Sequence, residues 1–251
     1  MNEAELTGVC TEMAEQLIIC GAEIYRVEDT VSRICHAYGH DEAEIYATPA
    51  NFIITVKDKN GMPVTDSKSI TGRETNLDRV GKLNELSRYI CKKKPDAQSV
   101  LRHIEAVKSR KTYSNAVVYL SYIIVGAAFT VFYGGSASEA LCGALLAAAV
   151  RFISGRLKKI HASTFLNAVV CSMSISFMAV GLAEIGFVPR FDKMIIGAYM
   201  TLVPGVAMTN CMRDFISGDF LSGIYTMTEA LLTAAGMAVG AGSAVAAVIR
   251  L

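Results

Sequence analysis

The stretch LVPGVAMTNCMRDFISGDFLSG, residues 202–223, decides how this chain is organised. It lies between two long apolar segments, yet it contains Pro204, Arg213, Asp214 and Asp219 together with several glycines. Pro and Gly interrupt a helix and free backbone groups that lipid cannot satisfy but a protein-lined cavity can. Charged side chains near a bilayer are costly and are usually retained for a function. The stretch therefore predicts a broken helix that carries a functional site, with a polar loop at a helix end as the alternative.

The composition of the chain changes near residue 115. Residues 1–115 contain 16 Lys or Arg and 17 Asp or Glu, whereas residues 116–251 contain 8 and 6. The first part has the composition of a globular domain and the second part that of a membrane domain. We therefore predict a membrane α-helical bundle with an N-terminal cytosolic α+β domain, divided as 1–110 and 111–251.

Hydrophobic periodicity in the N-terminal domain predicts two helices, a small antiparallel sheet and two further helices. Gly21 and Gly39 are the expected ends of the first two helices, and the strand-like runs are 43–48, 51–57 and 63–71. The first residues, MNEAELTGVC, lack the basic and apolar regions of a signal peptide, so we expect this domain to stay in the cytoplasm.

The membrane domain is predicted to contain five spans, at about 116–133, 138–154, 163–183, 194–211 and 227–249. The loop 151–161 is basic, and segment 88–111 holds eight Lys or Arg and two acids. The positive-inside rule then places the N-terminus in the cytoplasm. We expect segment 88–111 to contact anionic membrane lipid, and no nucleic acid, because it lacks a set of interleaved aromatic residues that would stack on bases.

The charged residues of the broken helix suggest how a substrate could bind. The guanidinium of Arg213 suits a carboxylate, because its planar fork can donate to both oxygens. Asp214, Asp219 or Glu229 could carry a coupling proton if burial raises its pKa. The alternative is that Arg213 and Asp214 are interfacial ions wetted by the cytoplasm.

A second charged cluster lies at the junction of the first two helices, where Glu23, Arg26 and Glu28 follow Gly21. These side chains could form a site, although a network of ion pairs joining the two helices is the more common arrangement.

Metal binding and enzymatic chemistry find little support. Cys35, His36 and His40 suggest zinc, but Gly39 is expected to end the helix before His40 and no fourth ligand is evident. We predict no metal and no cofactor. Nucleophile–base sets and phosphate-binding loops are not recognisable either, so we predict that the chain is not an enzyme and is not driven by ATP.

Several separated motifs, in order, resemble those of the threonine/serine exporter family. They are GAEIYRVEDTVSRICHAYG (21–39), TPANFIITV (48–56), NLDRVGKLNELSR (76–88), and the stretch 202–223 followed by EALL (229–232). The resemblance extends from about residue 5 to residue 250. It is closest to the larger subunit of the split, two-component form, which has an N-terminal domain and five spans.

The resemblance implies an exporter of small amino acids such as threonine and serine in the cell membrane, with dicarboxylate (succinate) export as the alternative substrate class. It also implies a small four-span membrane subunit as partner, in a hetero-oligomer, because five spans without internal duplication suit part of a transporter. Tyr225 departs from the family, since many members carry a basic residue just after the Ser-Gly pair.

The signature residues of the family fall at the positions already singled out. The substrate-binding candidates are Pro204, Gly205, Asn210, Arg213 and Asp214; the coupling or gating candidates are Asp219 and Glu229; the N-terminal signature holds Glu23, Arg26 and Glu28; and Gly218 and Gly223 complete the block. We therefore predict a subunit of a secondary, proton-coupled exporter. Two other hypotheses stay open: an enzymatic N-terminal domain that the spans anchor, and a regulatory membrane subunit.

Overall fold

The N-terminal helices form where the sequence predicts them in the computed structural model. The structure describes residues 1–72, 74–110, 113–160, 162–186, 188 and 191–249, without the side chains of 245 and 247–249. Helix α1 is Glu3–Ile19 and helix α2 is Ile24–Ala37. The glycines that follow them have left-handed backbones, with φ of +84° at Gly21 and +90° at Gly39, which is the usual glycine ending of a helix.

A three-stranded antiparallel sheet in the order β1-β2-β3 follows the two helices. Its strands are β1 (Glu44–Ala47), β2 (Asn51–Lys57) and β3 (Pro63–Ser69). Alternate residues of the central strand, Phe52, Ile54 and Val56, are buried. Because side chains alternate across a strand, one face of the sheet covers the helices and the other faces outward.

Helices α3 (Leu77–Lys93) and α4 (Ala97–Lys108) complete the N-terminal α+β arrangement. They contribute Leu83, Leu86, Ile90, Val100 and Ile104 to one apolar core shared with α1, α2 and the sheet. The predicted order of helices and strands is therefore confirmed.

The second half of the chain is helical. Its helices are α5 (Asn115–Phe132), α6 (Ala137–Lys159), α7 (Thr164–Glu184), α8 (Asp192–Tyr199), α9 (Gly205–Ile216) and α10 (Phe220–Ile249). Among the described residues, α5, α6 and α7 are long and apolar enough to cross a membrane. Large apolar side chains such as Leu120, Ile124 and Phe132 are exposed on α5, as expected of a surface that meets lipid.

The predicted fourth span, 194–211, is not one continuous helix. It is divided into α8 and α9, and residues 200–204 separate them. Pro204 has no N–H to donate and disfavours helical backbone at the residue before it, which explains why α8 does not continue. The break at Pro204 and Gly205 is therefore where the sequence analysis expected it, but each helix is short.

The number of spans and their orientation stay predictions. The fifth predicted span, 227–249, lies within α10, and some of its side chains are outside the described residues. Lys111 and His161, which end the two basic segments, also lie outside them, as do residues 187, 189 and 190 of the loop 184–193.

Residues 1–112 and 208–226 form one compact unit, and residues 113–207 and 227–251 form the other. The association of segment 208–226 with the N-terminal residues was not anticipated, and the predicted domain limits of 1–110 and 111–251 stay predictions.

Small residues allow close helix packing in the second unit. A Cβ on Gly126 would lie 2.5 Å from the carbonyl oxygen of Gly143, and one on Gly197 would lie 2.7 Å from the carbonyl oxygen of Gly126. Tyr199 of α8 shares a 2.7 Å hydrogen bond with Ser176 of α7. Glycines at these positions let the backbones of α5, α6 and α8 approach, as small residues commonly do in membrane helices.

Candidate functional site

The junction between α1 and α2 is fixed by backbone hydrogen bonds to the segment that precedes α3. The amide of Glu74 donates to the carbonyl of Ile19 at 2.8 Å, and the amide of Asn76 donates to that of Cys20 at 3.0 Å. A Cβ on Gly21 would lie 3.4 Å from the carbonyl oxygen of Glu74. The chain therefore turns tightly here, and the carbonyl of Gly21 and the side chain of Glu23 are presented at one place.

The segment 208–226 folds back on itself between α9 and α10. Gly218 has a left-handed φ of +87°, and the amide of Asp219 donates to the carbonyl of Asp214 at 2.9 Å. The Asp219 carboxylate accepts from the amide of Ser222 at 3.2 Å, as an N-cap residue does. Gly223 leaves room for the ring of Phe215, because a Cβ there would lie 2.6 Å from it. The glycines of the block therefore build this turn.

Arg213 and Glu23 form an ion pair between Nη1 and Oε1. The Glu23 side chain is only 10% exposed, whereas that of Arg213 is 45% exposed. The other carboxylate oxygen of Glu23 lies 2.7 Å from Nε of Arg26. That Nε–H is directed to the hydroxyl of Tyr25, at 3.0 Å, so the contact between Arg26 and Glu23 is an ion pair without hydrogen-bond geometry. Glu23 therefore lies between two guanidinium groups, one from each signature.

Asn210 makes the second link between the two signatures. Its Nδ2 donates to the carbonyl oxygen of Gly21 at 3.4 Å. Asn210 and Arg213 are three positions apart on α9 and so lie on the same side of that helix. The carbonyl of Gly21 and the carboxylate of Glu23 are thus both engaged by one face of α9.

Glu28 and Asp219 form a second acidic position in this unit. Burial raises the pKa of Glu28, and the negative charge of Asp219 raises it further, while the hydrogen bond from the amide of Ala47 opposes the shift. That amide donates to Glu28 Oε1 at 2.9 Å. Both raising effects disfavour the charged carboxylate, so this position favours a bound proton or a nearby cation.

Six predicted site residues are therefore brought together in one unit: Glu23, Arg26, Glu28, Asn210, Arg213 and Asp219. Asp214 belongs to the same unit and is 3% exposed. Pro204, Gly205 and Glu229 belong to the other unit. Tyr225 has an exposed side chain. The acidic pairing of Glu28 with Asp219 and the use of the Gly21 carbonyl were not foreseen.

The residues considered for zinc make other contacts. Sγ of Cys35 lies 3.8 Å from Sγ of Cys10 in the apolar core, and the ring of His36 pairs with Asp41. Within the described ranges, the structure contains no group of three His, Cys, Asp or Glu side chains that could hold a metal ion.

The fold and this charged cluster define a class: a helical membrane protein whose interrupted helices carry charged residues, as in transporters. Residues 8–248 match the family described as "Putative threonine/serine exporter" (ThrE), and the chain belongs to that family. Neither curated proteins nor solved structures gave a match. The family resemblance seen in the motifs is therefore confirmed, and the chain is a membrane protein of the transporter class.

Proposed function

We propose that this chain is a subunit of a secondary exporter that moves threonine, serine or a similar small amino acid out of the cell. The observation that carries the proposal is the cluster in which Arg213 pairs with Glu23. It places a carboxylate-binding guanidinium beside an acidic position. An amino acid carries the complementary groups, a carboxylate and an ammonium.

Binding at Arg213 requires an exchange of carboxylates. Glu23 occupies the guanidinium, so the substrate carboxylate would take the place of the Glu23 carboxylate. Because the Arg213 side chain is partly exposed, part of its fork is accessible to a second carboxylate. The displaced Glu23 carboxylate would keep its ion pair with Arg26, and a zwitterionic amino acid adds no net charge, which limits the electrostatic penalty of binding and release.

The balance of charge favours an amino acid over a dicarboxylate. Arg213 is the one Lys or Arg of segment 208–226, which also contains Asp214 and Asp219. Tyr225 supplies no second positive charge where many relatives carry one. A dianion such as succinate would place its second carboxylate among acidic groups, whereas the ammonium of threonine would be attracted to Glu28 and Asp219.

The same acidic pair is the site that we propose for the coupling proton. The pKa of Glu28 is raised by burial and by the charge of Asp219, so protonation of Glu28 is easier than that of an isolated glutamate. A proton that binds there would lower the negative charge next to the substrate ammonium and weaken substrate binding. Proton entry and substrate release would then be linked at one place, as coupled exchange requires.

The arrangement in the membrane is also a proposal. The basic segments 88–110 and 151–160 support a cytoplasmic N-terminal domain that contacts anionic lipid. A small four-span subunit of the same family would complete the transporter as a hetero-oligomer. In this proposal the N-terminal domain contributes Glu23 and Glu28 to transport, and it has no enzymatic role.

The test is efflux of labelled threonine, serine and succinate from vesicles that contain this chain with and without the small four-span subunit. We expect efflux of threonine and serine only with both subunits, and collapse of efflux when the proton gradient is dissipated. Efflux of succinate in preference to both amino acids would contradict the charge argument. No efflux of any of the three with both subunits inserted would contradict the proposed function.

A further inference from the structure

The N-terminal unit has an open groove between α2 and α3, which shares Arg26 with the cluster around Glu23 and Arg213 but is otherwise lined by other residues. Its volume is about 1080 Å³, slightly above the usual range of small-molecule sites. Thr30 and Ala37 of α2 and Asn84 and Ser87 of α3 contribute small or polar surface to its lining. Such side chains leave space for a ligand and can hydrogen-bond to it.

The charge of the groove is strongly positive. Five Lys or Arg side chains and two Asp side chains line it, and the cations are Arg26, Arg33, Arg88, Lys92 and Lys94. Both aspartates are occupied, because Asp29 pairs with Arg33 at 2.9 Å and Asp41 pairs with His36. The cations of α3 and its C-terminal cap therefore have no carboxylate oxygen within ion-pair distance in the part of the chain that the structure describes.

The positions of these cations point to one bound anion. Arg88 and Lys92 are four residues apart on α3, so their side chains share one face of the helix. Lys94, the cap of α3, has a left-handed backbone with φ of +47° and is the one non-glycine residue with positive φ among those described. This backbone ends α3, and it places Lys94 in the lining of the groove.

We propose that the groove between α2 and α3 binds a small phosphate-bearing anion. Lys82 is paired with Glu85 and lowers the pKa of that carboxyl most, and the charge of Arg88 only adds to this shift. Three cations that form no ion pair with the described carboxylates match a multiply charged group better than a single carboxylate. The guanidinium of Arg88 can donate two hydrogen bonds to phosphate oxygens, and Lys92 and Lys94 add charge. This inference goes beyond the proposed export function, since the groove residues on α3 take no part in the Glu23–Arg213 pair.

The phosphate could belong to a soluble metabolite or to a lipid headgroup, and the experiment distinguishes these sources. The full chain is placed in nanodiscs of phosphatidylcholine, and pyrophosphate binding is measured by calorimetry. The groove variant is R88Q/K92Q, and the matched control is R102Q/K93Q, which removes the same charges from residues that do not line the groove. Arg26 is left unchanged because it also contacts Glu23.

We expect saturable binding of pyrophosphate that is at least about fivefold weaker in the groove variant and changed less than about twofold in the control. If discs that contain phosphatidylglycerol abolish pyrophosphate binding, the source is a lipid headgroup; if binding persists, it is a soluble anion. Absence of saturable binding in phosphatidylcholine discs, or equal weakening in both variants, would overturn the proposal. Equal thermal midpoints of the two variants show that the comparison is between folded proteins.

Discussion

The guanidinium of Arg213, in the last turn of α9, is ion paired with the carboxylate of Glu23, the N-cap residue of α2. These residues belong to two sequence motifs far apart in the chain, and the fold places them in one unit. The motif at 202–223 supplies the cation of this pair, and the motif at 21–39 supplies the carboxylate that binds it.

Replacing Arg213 with Ala should reduce threonine export at least about tenfold, because the variant has no cation to receive the substrate carboxylate. Arg213→Lys should retain part of the activity, since lysine keeps the charge but not the planar fork. Arg102→Ala on α4 is the control, as it removes an exposed arginine outside the cluster. Initial rates in vesicles with equal amounts of inserted protein would check this, and export at the unaltered rate in Arg213→Ala would refute the assignment.

Reversing the ion pair should separate its structural role from its transport role. Glu23→Arg and Arg213→Glu should each lower the thermal midpoint, because each places like charges together in a partly buried position. The double variant E23R/R213E should recover part of the loss, with a coupling free energy of about 1 kcal/mol, because the arginine at position 23 would pair with the new carboxylate but still lie beside Arg26. Export should stay abolished if Arg213 receives the substrate as proposed, since a carboxylate then occupies its position. Recovery of export with the reversed pair would mean that Arg213 only holds the fold together.

The acidic position at Glu28 should make stability depend on pH. The folded pKa of Glu28 is raised above the ordinary value of 4.5, so the folded protein binds this proton more tightly than the unfolded chain does. The charged carboxylate is consequently a cost at neutral pH, and that cost shrinks as the pH falls below the raised pKa of the folded protein. Glu28→Gln keeps an acceptor for the amide of Ala47, so it should raise the thermal midpoint by about 2 °C at pH 7.

The advantage of Glu28→Gln over the unaltered protein should shrink as the pH is lowered and vanish below about 4.5, where both states are protonated. Glu85→Gln is the control with the opposite sign: the hydrogen bond and the charge of Lys82 lower the pKa of that carboxyl, so its removal should give no stabilisation at pH 7. Midpoints of the full chain measured across this pH range would check both, and a lower midpoint for Glu28→Gln at pH 7 would contradict the raised pKa.

Much of the N-terminal fold followed from local signals. The helix ends at Gly21 and Gly39 were predictable because only glycine adopts that backbone easily, and β2 was evident from its alternating Phe52, Ile54 and Val56. The position of the break in the fourth span was predictable from Pro204 and Gly205. The packing of the segment that follows the break was not predictable. A hydropathy pattern gives the length of a helix and not its neighbours, so nothing in the sequence placed segment 208–226 in the N-terminal unit.

The contacts within the charged cluster were likewise not predictable from the sequence. Glu23 and Arg213 were both candidates, yet they were assigned to a structural network and a substrate site respectively. Their pairing depends on contacts between distant segments, which a single sequence does not encode in any local pattern. The influence of Asp219 on Glu28 was missed for the same reason.

The turn at Gly21 should be sensitive to substitution because the site depends on it. Gly21→Ala would impose a side chain on a backbone with φ of +84°, which L residues rarely adopt, although the new Cβ would only touch the carbonyl oxygen of Glu74 at 3.4 Å. We expect a loss of about 1–2 kcal/mol, with weakened export because the carbonyl contacted by Asn210 would shift. Gly8→Ala is the control, since a Cβ there meets nothing within 4 Å in the interior of α1. Chemical denaturation that showed equal stability for the two variants would contradict the strain at Gly21.

The contact of α8 with α5 should tolerate no side chain at Gly197. A Cβ there would lie 2.7 Å from the carbonyl oxygen of Gly126 and closer still to the hydroxyl of Thr130, which already donates to that carbonyl at 2.7 Å. Backbone atoms cannot move aside as a flexible side chain can, so α8 would have to separate from α5. Gly197→Ala should therefore destabilise the second unit by about 1–3 kcal/mol, while Gly181→Ala on α7, where a Cβ meets nothing within 4 Å, should be neutral or slightly stabilising. Thermal unfolding of the two variants in the same detergent checks this, and a Gly197→Ala protein as stable as Gly181→Ala would show that α8 does not pack on α5 at this distance.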